Sequence, residues 1–193
     1  MLDLSNNRFS GRIPSHLERL QGFAINSSTE GVRYHVYEVT IEIKGIEYTV
    51  KYMLSTNIIF DLSMNNLMGE IPVSIGSMIG LRLLNLSGNQ LEGKIPACLG
   101  EISYLEELDL ATNKLWGAIP QELSKLSMLA SFNVSSNSLC GPVPKGTQFD
   151  TFNETSFQWN KCLCGFPLPP CNEMDKPKKT KVEESGSRSN IKR

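Results

Sequence analysis

The sequence predicts a curved solenoid of the α/β type, with short parallel strands, built from repeats of 24 residues. Two observations lead to this fold class. An apolar–polar–apolar–small pattern starts at residues 60, 84, 108 and 132, so its copies are evenly spaced. After each start, an Asn, a Gly and an aliphatic residue followed by Pro recur at fixed offsets. A spaced pattern repeated this often does not arise by chance.

The apolar residues of each repeat predict a short strand with one face turned inward. Leu84 and Leu86 are two residues apart, which places both on the same side of a strand, and the intervening Asn85 then points away from the core. One unit cannot bury its own apolar face. Neighbouring units must therefore stack, and their strands form a parallel sheet on the concave face of the solenoid.

The residues after each strand have their own physical roles. An Asn amide turned inward can satisfy backbone groups where the chain leaves the strand, and stacked copies predict a ladder of such amides. The Gly permits a tight turn, and the Pro fixes an extended segment on the way to the convex side. The four ladder positions are Asn65, Asn89, Asn113 and Asn137.

A long insertion separates the first copy of the pattern from the other four. From Leu2 to Phe60 there are 58 residues, which is one repeat plus 34 extra. Between Tyr34 and Val50, aromatic or β-branched residues alternate with polar ones, and Gly45 lies at the expected turn. The insertion is therefore predicted to carry a β-hairpin, and long insertions in solenoids tend to serve binding.

Composition and motifs argue against several classes of function. The net charge of −1 gives no nucleic-acid footprint, and the longest apolar runs are far below the roughly 20 residues that span a bilayer. There is no nucleophile elbow, phosphate-binding Gly loop, zinc-protease helix motif or kinase signature. We therefore expect no enzyme activity, no cofactor and no metal site.

The form L-x-L-x-x-N-x-L-x-G-x-I-P resembles the plant extracellular leucine-rich-repeat receptors, both receptor kinases and kinase-less receptor-like proteins. The resemblance covers residues 1–21 and 58–171. The insertion resembles the island that interrupts such arrays four repeats before their end, and its segment 39–45 is especially like the receptor-like proteins. Residues 148–171 look like the family's C-terminal cap.

The resemblance divides the chain into five parts. These are a first repeat (1–21), the island (22–57), four repeats (58–147), the cap (148–171) and a polar tail (172–193). The tail's composition predicts disorder, and a nuclear-import reading of its basic residues conflicts with the extracellular repeat type. The sequence shows no signal peptide, N-terminal cap or transmembrane helix of the kind these receptors have. We therefore expect a truncated or partial receptor sequence.

The resemblance implies a non-catalytic module that reads a peptide or protein ligand near the island and contacts a co-receptor kinase near the cap. It further implies an immune or developmental role at the extracellular face of the plasma membrane. The candidate partner-binding residues lie in the island and on the concave strand face: Tyr34, His35, Tyr37, Glu42, Lys44, Tyr48, Asp61, Ser63, Asn85, Ser87, Glu107, Asp109, Ser131 and Asn133.

Other readings stay open. The island tyrosines could merely fasten the hairpin to the array, and Asp61 and Asp109 could be ordinary solvated strand residues. The chain could be a secreted leucine-rich-repeat inhibitor of a cell-wall-degrading enzyme, which the absent transmembrane helix favours and the island disfavours. It could also be a receptor fragment without binding function.

Cysteines and glycosylation sequons give the remaining expectations. The resemblance to the cap implies a Cys164–Cys171 disulfide, for which Cys162 could compete, while Cys98 and Cys140 are expected as free thiols. Four N-x-S/T sequons, which would be used if the chain is secreted, begin at Asn26, Asn85, Asn133 and Asn153.

Overall fold

The computed structural model describes residues 1–16, 58–146 and 148–171 in full, and residues 39–43 and 46–50 as backbone. Its strands are β1 (Leu2–Asp3), β2 (Ser10–Arg12), β3 (Val39–Ile43), β4 (Ile46–Val50), β5 (Ile58–Asp61), β6 (Asn66–Glu70), β7 (Leu81–Asn85), β8 (Gln90–Gly93), β9 (Glu107–Asp109), β10 (Lys114–Gly117), β11 (Ser131–Asn133), β12 (Ser138–Pro142) and β13 (Cys162–Cys164). Short 3₁₀ helices span Val73–Ser77, Ala97–Glu101, Gln121–Lys125, Phe149–Thr151 and Glu154–Ser156.

One strand from each repeat enters a parallel sheet, as the sequence predicts. This first sheet has five strands in the order β1-β5-β7-β9-β11. Phe60 lies beside Leu84, Leu84 beside Leu108, and Leu108 beside Phe132, so equivalent positions of successive repeats are neighbours. Leu2 lies beside Phe60, which means that the first repeat stacks directly on the second across the insertion.

A second parallel sheet, which the sequence analysis missed, runs along the flank of the array. Its six strands have the order β13-β12-β10-β8-β6-β2 and come from the apolar-x-Gly segment of each repeat. Gly93 has a φ of +87°, and a Cβ there would lie 2.8 Å from Cγ of Glu70 in the preceding repeat. Gly therefore serves both the backbone conformation and the close passage of a neighbouring side chain.

The side of the solenoid opposite the first sheet carries short 3₁₀ helices. Each of the three repeat helices has five residues and directly follows the Pro of its repeat. A 24-residue repeat leaves space for only about one tight turn there, and 3₁₀ helices are used in such short pieces.

A single column of aliphatic side chains fills the space between the sheets and the 3₁₀ turns. Leu84, Leu86, Leu91, Leu99 and Leu105 of one repeat are all fully buried. Burying a Leu side chain contributes about 1.5–3 kcal/mol, so this column supplies the main driving force for stacking.

The predicted asparagine ladder is confirmed. Asn89 donates from Nδ2 to the carbonyls of Leu62 (2.9 Å) and Leu86 (3.1 Å), and its Oδ1 accepts from the Leu67 N–H at 3.0 Å. Asn65, Asn113 and Asn137 repeat this arrangement. Each amide therefore bonds the backbone of two successive repeats.

The cap closes the array with an aromatic cluster. Phe132 of the last repeat contacts Phe149, Phe152 and Phe157, with ring centroids 5.0 to 5.8 Å apart. Asn160, which the sequence analysis did not assign to the ladder, donates to the Val134 carbonyl at 2.9 Å and so extends the ladder into the cap.

The predicted hairpin in the insertion is also confirmed. Strands β3 and β4 pair antiparallel, with Ile41 opposite Tyr48 and Glu42 opposite Glu47. The rest of the insertion lies outside the described residues.

Candidate recognition surface

The first sheet presents one face away from the leucine core, and we call this face the open face. Its register places Asp3 beside Asp61, Asp61 beside Asn85, Asn85 beside Asp109 and Asp109 beside Asn133. The structure therefore brings the predicted residues of the repeats together in adjacent strands. A parallel row holds Glu107 and Ser131, which are also register partners. Ser63 and Ser87 continue the face just beyond their strands.

The Asp and Asn residues of the open face are bonded into the fold. In each repeat Oδ1 of this residue accepts from the N–H two positions later, as in Asp61 to Ser63 (2.8 Å) and Asn133 to Ser135 (3.1 Å). Between repeats, Asn85 Nδ2 donates to Asp61 Oδ2 at 3.2 Å, and Asn133 Nδ2 donates to an Asp109 oxygen. The row is a structural element as well as a surface.

Burial decides one alternative that the sequence left open. Asp61 and Asp109 are not ordinary solvated strand residues, since each is only 6% exposed, and Asn85 is 7% exposed. Adjacent parallel strands lie about 4.8 Å apart, so the side chains of one row cover each other laterally. Burial, with a smaller effect from the neighbouring Asp3 carboxylate, raises the pKa of Asp61 above its usual range.

The accessible part of the open face lies around this row. Ser87, Glu107, Ser131 and Asn133 are half-buried, whereas Ser63 is buried. The residue before Glu107 is Glu106, and it forms an ion pair with Arg82 of the preceding repeat. The hydroxyl of Ser131 is itself buried, so a partner can reach Ser87, Glu107 and Asn133 directly.

Two large exposed side chains in the turns before ladder asparagines were missed by the sequence analysis. Met64 is 60% exposed with a φ of 52°, and Trp159 is 78% exposed with a φ of 63°. Asn6, Thr112 and Ser136 share this left-handed backbone at the equivalent position. The signal was available, since every such residue directly precedes an Asn of the ladder.

The island residues can be located only in part. Glu42 and Tyr48 lie in the hairpin strands β3 and β4. Tyr34, His35, Tyr37 and Lys44 lie outside the described residues. Their role in binding stays a prediction.

The cysteines give one confirmation and one correction. Cys164 and Cys171 form the expected disulfide. Cys140, expected as a free thiol, is instead bonded to Cys162, with 4.4 Å between their Cα atoms. The two residues are register partners in strands β12 and β13 of the second sheet. Their separation of 22 residues is the signal that was missed, because the ladder bond from Leu67 to Asn89 spans the same 22 residues.

Cys98 is a free thiol, as expected. Its Sγ donates to the Val73 carbonyl at 3.2 Å, and burial raises the pKa of the thiol. Among the fully described residues, no group of three or more His, Cys, Asp or Glu side chains is placed to hold a metal ion. Within the same part of the chain, no helix is long and apolar enough to cross a membrane.

Comparison with known proteins supports the repeat assignment. The leucine-rich-repeat family model matches residues 1–20, 58–78, 80–102 and 104–126. Receptor-like protein 9DC3 of Solanum pimpinellifolium is 63% identical over 178 residues, which is 87% of this chain and 21% of that protein. Receptor-like protein Cf-9 homolog of Solanum lycopersicum is 61% identical over the same shares. The chain thus spans 21% of the length of these curated relatives.

Solved structures agree on the fold. The ectodomain of the Arabidopsis receptor kinase HAESA, in complex with an extended IDA peptide hormone, matches with a TM-score of 0.56 and 31% identity, covering 88% of this chain and 26% of that one. A chain of the BIR3–SERK2 complex from Arabidopsis thaliana matches with a TM-score of 0.54 and 42% identity, covering 57% and 58%. These repeats, this fold and this identity show that the chain is a leucine-rich-repeat chain of the plant receptor-like protein type.

Proposed function

We propose that this chain is a non-catalytic recognition module that binds a peptide or protein through the open face of its first sheet and the island. Its similarity to receptor-like proteins supports a place in the extracellular part of a plasma-membrane receptor. The role that we propose for that receptor is in immunity or development. The observation that carries the proposal is the continuous register of the open face, which aligns equivalent polar positions from adjacent repeats.

The hydrogen bonding of the open face suits this role. The carboxylates and amides of the Asp–Asn row are already bonded within the fold, so a partner that covers them leaves few polar groups unpaired. Glu107 and Ser87, which are half-buried, lie beside this row and offer direct contacts. Because Glu107 adds a carboxylate next to Asp109, the face favours a ligand with a cationic side chain.

The island extends the proposed surface. Tyr34, His35, Tyr37, Glu42, Lys44 and Tyr48 combine aromatic and charged side chains, and tyrosines are enriched among residues that dominate binding energy. Substituting Tyr34, His35 and Tyr37 together by Ala is expected to abolish ligand capture without changing the melting temperature.

A second contact, with a co-receptor kinase, is proposed near the cap. The similarity to a chain of the BIR3–SERK2 complex supports it. Trp159 and Leu168 line a cavity of about 400 Å³ at this end of the array, and the exposed Trp159 is a suitable anchor for a protein partner.

The proposal can be tested with a displayed library of random dodecapeptides, selected on the secreted full chain. Selected peptides should lose at least tenfold in affinity for Glu107→Lys, which corresponds to about 1.4 kcal/mol. Glu92→Lys is the matched control, because Glu92 is exposed on the second sheet and the charge change is the same.

Two results would refute the proposed surface. One is equal loss of affinity for both variants, which would indicate a general charge effect. The other is full retention of binding both by the Glu107→Lys variant and by the island triple variant.

A further inference from the structure

We propose that Asn153 carries an N-linked glycan, and that Asn85 and Asn133 stay unmodified in the folded chain. All three residues begin sequons, but the structure gives them different roles. This inference concerns the surface of the fold and does not depend on the identity of a ligand.

Asn85 is committed to the first sheet. Its Nδ2, the atom that a glycan would modify, donates to Asp61 Oδ2 at 3.2 Å, and its Oδ1 accepts from both the N–H and the hydroxyl of Ser87. The residue is 7% exposed and lies between Asp61 and Asp109 in the register. A sugar on Nδ2 would have to enter the space between adjacent strands.

Asn133 occupies the equivalent position in β11, the last strand of the first sheet. Its Nδ2 donates to Asp109 Oδ2 at 3.4 Å, and its Oδ1 accepts from the Ser135 N–H at 3.1 Å. It is half-buried, so it is somewhat more accessible than Asn85. The same cross-strand bond would still have to yield to a sugar.

Asn153 has the opposite surroundings. It is exposed, has extended backbone angles (φ −88°, ψ 171°), and lies between the two short 3₁₀ helices of the cap. Its Oδ1 accepts from the hydroxyl of Thr155, the third residue of its own sequon. Within the fully described part of the chain, its Nδ2 donates no hydrogen bond.

The transfer chemistry needs Nδ2 to be accessible. An oligosaccharyltransferase joins C1 of a lipid-linked sugar to Nδ2, the C1–O bond to the lipid diphosphate breaks, the amide loses one proton and the lipid diphosphate leaves. Nδ2 keeps a single N–H afterwards. At Asn153, neither the loss of the proton nor the addition of the sugar breaks a hydrogen bond. At Asn85, the single remaining N–H would have to donate to Asp61 Oδ2 while a bulky sugar is attached to the same nitrogen.

The assignment has a consequence for the two surfaces. The open face stays free of glycan, while a glycan stands at the edge of the cap. Glu154, the next residue after Asn153, lines the same cavity as Trp159. A partner approaching that cavity must therefore avoid the glycan.

The test is site occupancy in the full chain expressed in plant cells behind a secretory leader. Glycans are removed by a glycopeptidase in ¹⁸O water, and the labelled Asp residues are located by mass spectrometry, both in the total pool and in the protease-resistant folded fraction. Thr155→Ala should abolish the label at Asn153, and Thr155→Ser should retain it.

We expect Asn153 to carry a glycan in the folded fraction. Glycan occupancy at Asn85 and Asn133 should be at least tenfold lower in the folded fraction than in the total pool, or zero in both. An unoccupied Asn153, or equal occupancy of Asn85 in the total and folded pools, would overturn the assignment.

Discussion

The asparagine ladder gives the sharpest prediction of the structure, through the substitution Asn89→Ala. The Asn89 side chain accepts from the Leu67 N–H and donates to the carbonyls of Leu62, Leu86 and Ser87 at 2.9 to 3.2 Å. Truncation to Ala removes all four hydrogen bonds at once.

The four bonds do not contribute equally to the cost. The three carbonyls each keep another donor, from Asn65 Nδ2, Asn113 Nδ2 and the Met64 N–H respectively. The Leu67 N–H loses its acceptor, Asn89 Oδ1, and Leu67 itself is buried, with 7% of its surface exposed. An orphaned buried donor costs about 1–3 kcal/mol, and with the weakened carbonyl bonds we expect a total of about 3 kcal/mol.

Asn7→Ala is the matched control. Asn7 is the ladder residue of the first repeat, but it is exposed, and its Nδ2 donates to the nearby carbonyls of Leu4 and Ser5. Its loss should cost less than about 0.5 kcal/mol, as is usual for surface positions.

Urea unfolding of the full chain, followed by circular dichroism with the disulfides intact, measures both free energies. Unfolding free energies of Asn89→Ala and Asn7→Ala that agree within about 0.5 kcal/mol would refute the ladder as a source of stability.

Three further predictions concern the second sheet, the open face and the outer turns. Replacing Cys140 and Cys162 together by Ser should lower the free energy of unfolding by about 3 kcal/mol in urea, because the bond closes a loop of 22 residues; an unchanged midpoint would contradict the pairing. Burial raises the pKa of Asp61 above its usual value of 3.8, so ionisation of Asp61 opposes folding once the pH rises above that value. Asp61→Asn should therefore gain stability relative to wild type as the pH rises above about 4, and a stability difference that stays constant with pH would contradict this. Gly100→Ala should cost at least about 2 kcal/mol in thermal or urea unfolding, because the new Cβ would lie 2.4 Å from the Glu122 carbonyl oxygen, and a cost near zero would show that the turns can separate.

The sequence predicted the first sheet and the asparagine ladder, which recur in the repeats, but it did not predict the second sheet, which also recurs. Leu84 and Leu86 recur at a fixed spacing because each strand must bury the same face against its neighbours, and Asn89 recurs because every turn leaves the same backbone groups to satisfy. A physical requirement that acts once per repeat leaves a periodic signal.

Features that depend on contacts between particular residues were harder to predict. The Cys140–Cys162 bond depends on the register of the second sheet, in which paired residues are 22 positions apart in the sequence. This offset differs from the 24-residue repeat of the first sheet. The aromatic cluster around Phe132 depends on how the cap folds back, for which no second copy exists in the chain. The burial of Asp61 follows from the lateral closeness of strands, which strand alternation alone does not reveal.

The central claim is that the open face of the first sheet is the recognition surface, and photo-cross-linking tests it most directly. A peptide selected on the full chain, carrying a benzophenone side chain, is irradiated in the complex, and its attachment sites are mapped by mass spectrometry. We predict attachment at residues of the open face such as Ser87, Glu107 and Ser131, or in the island. Attachment confined to the second sheet, around Glu92 and Lys114, would contradict the claim.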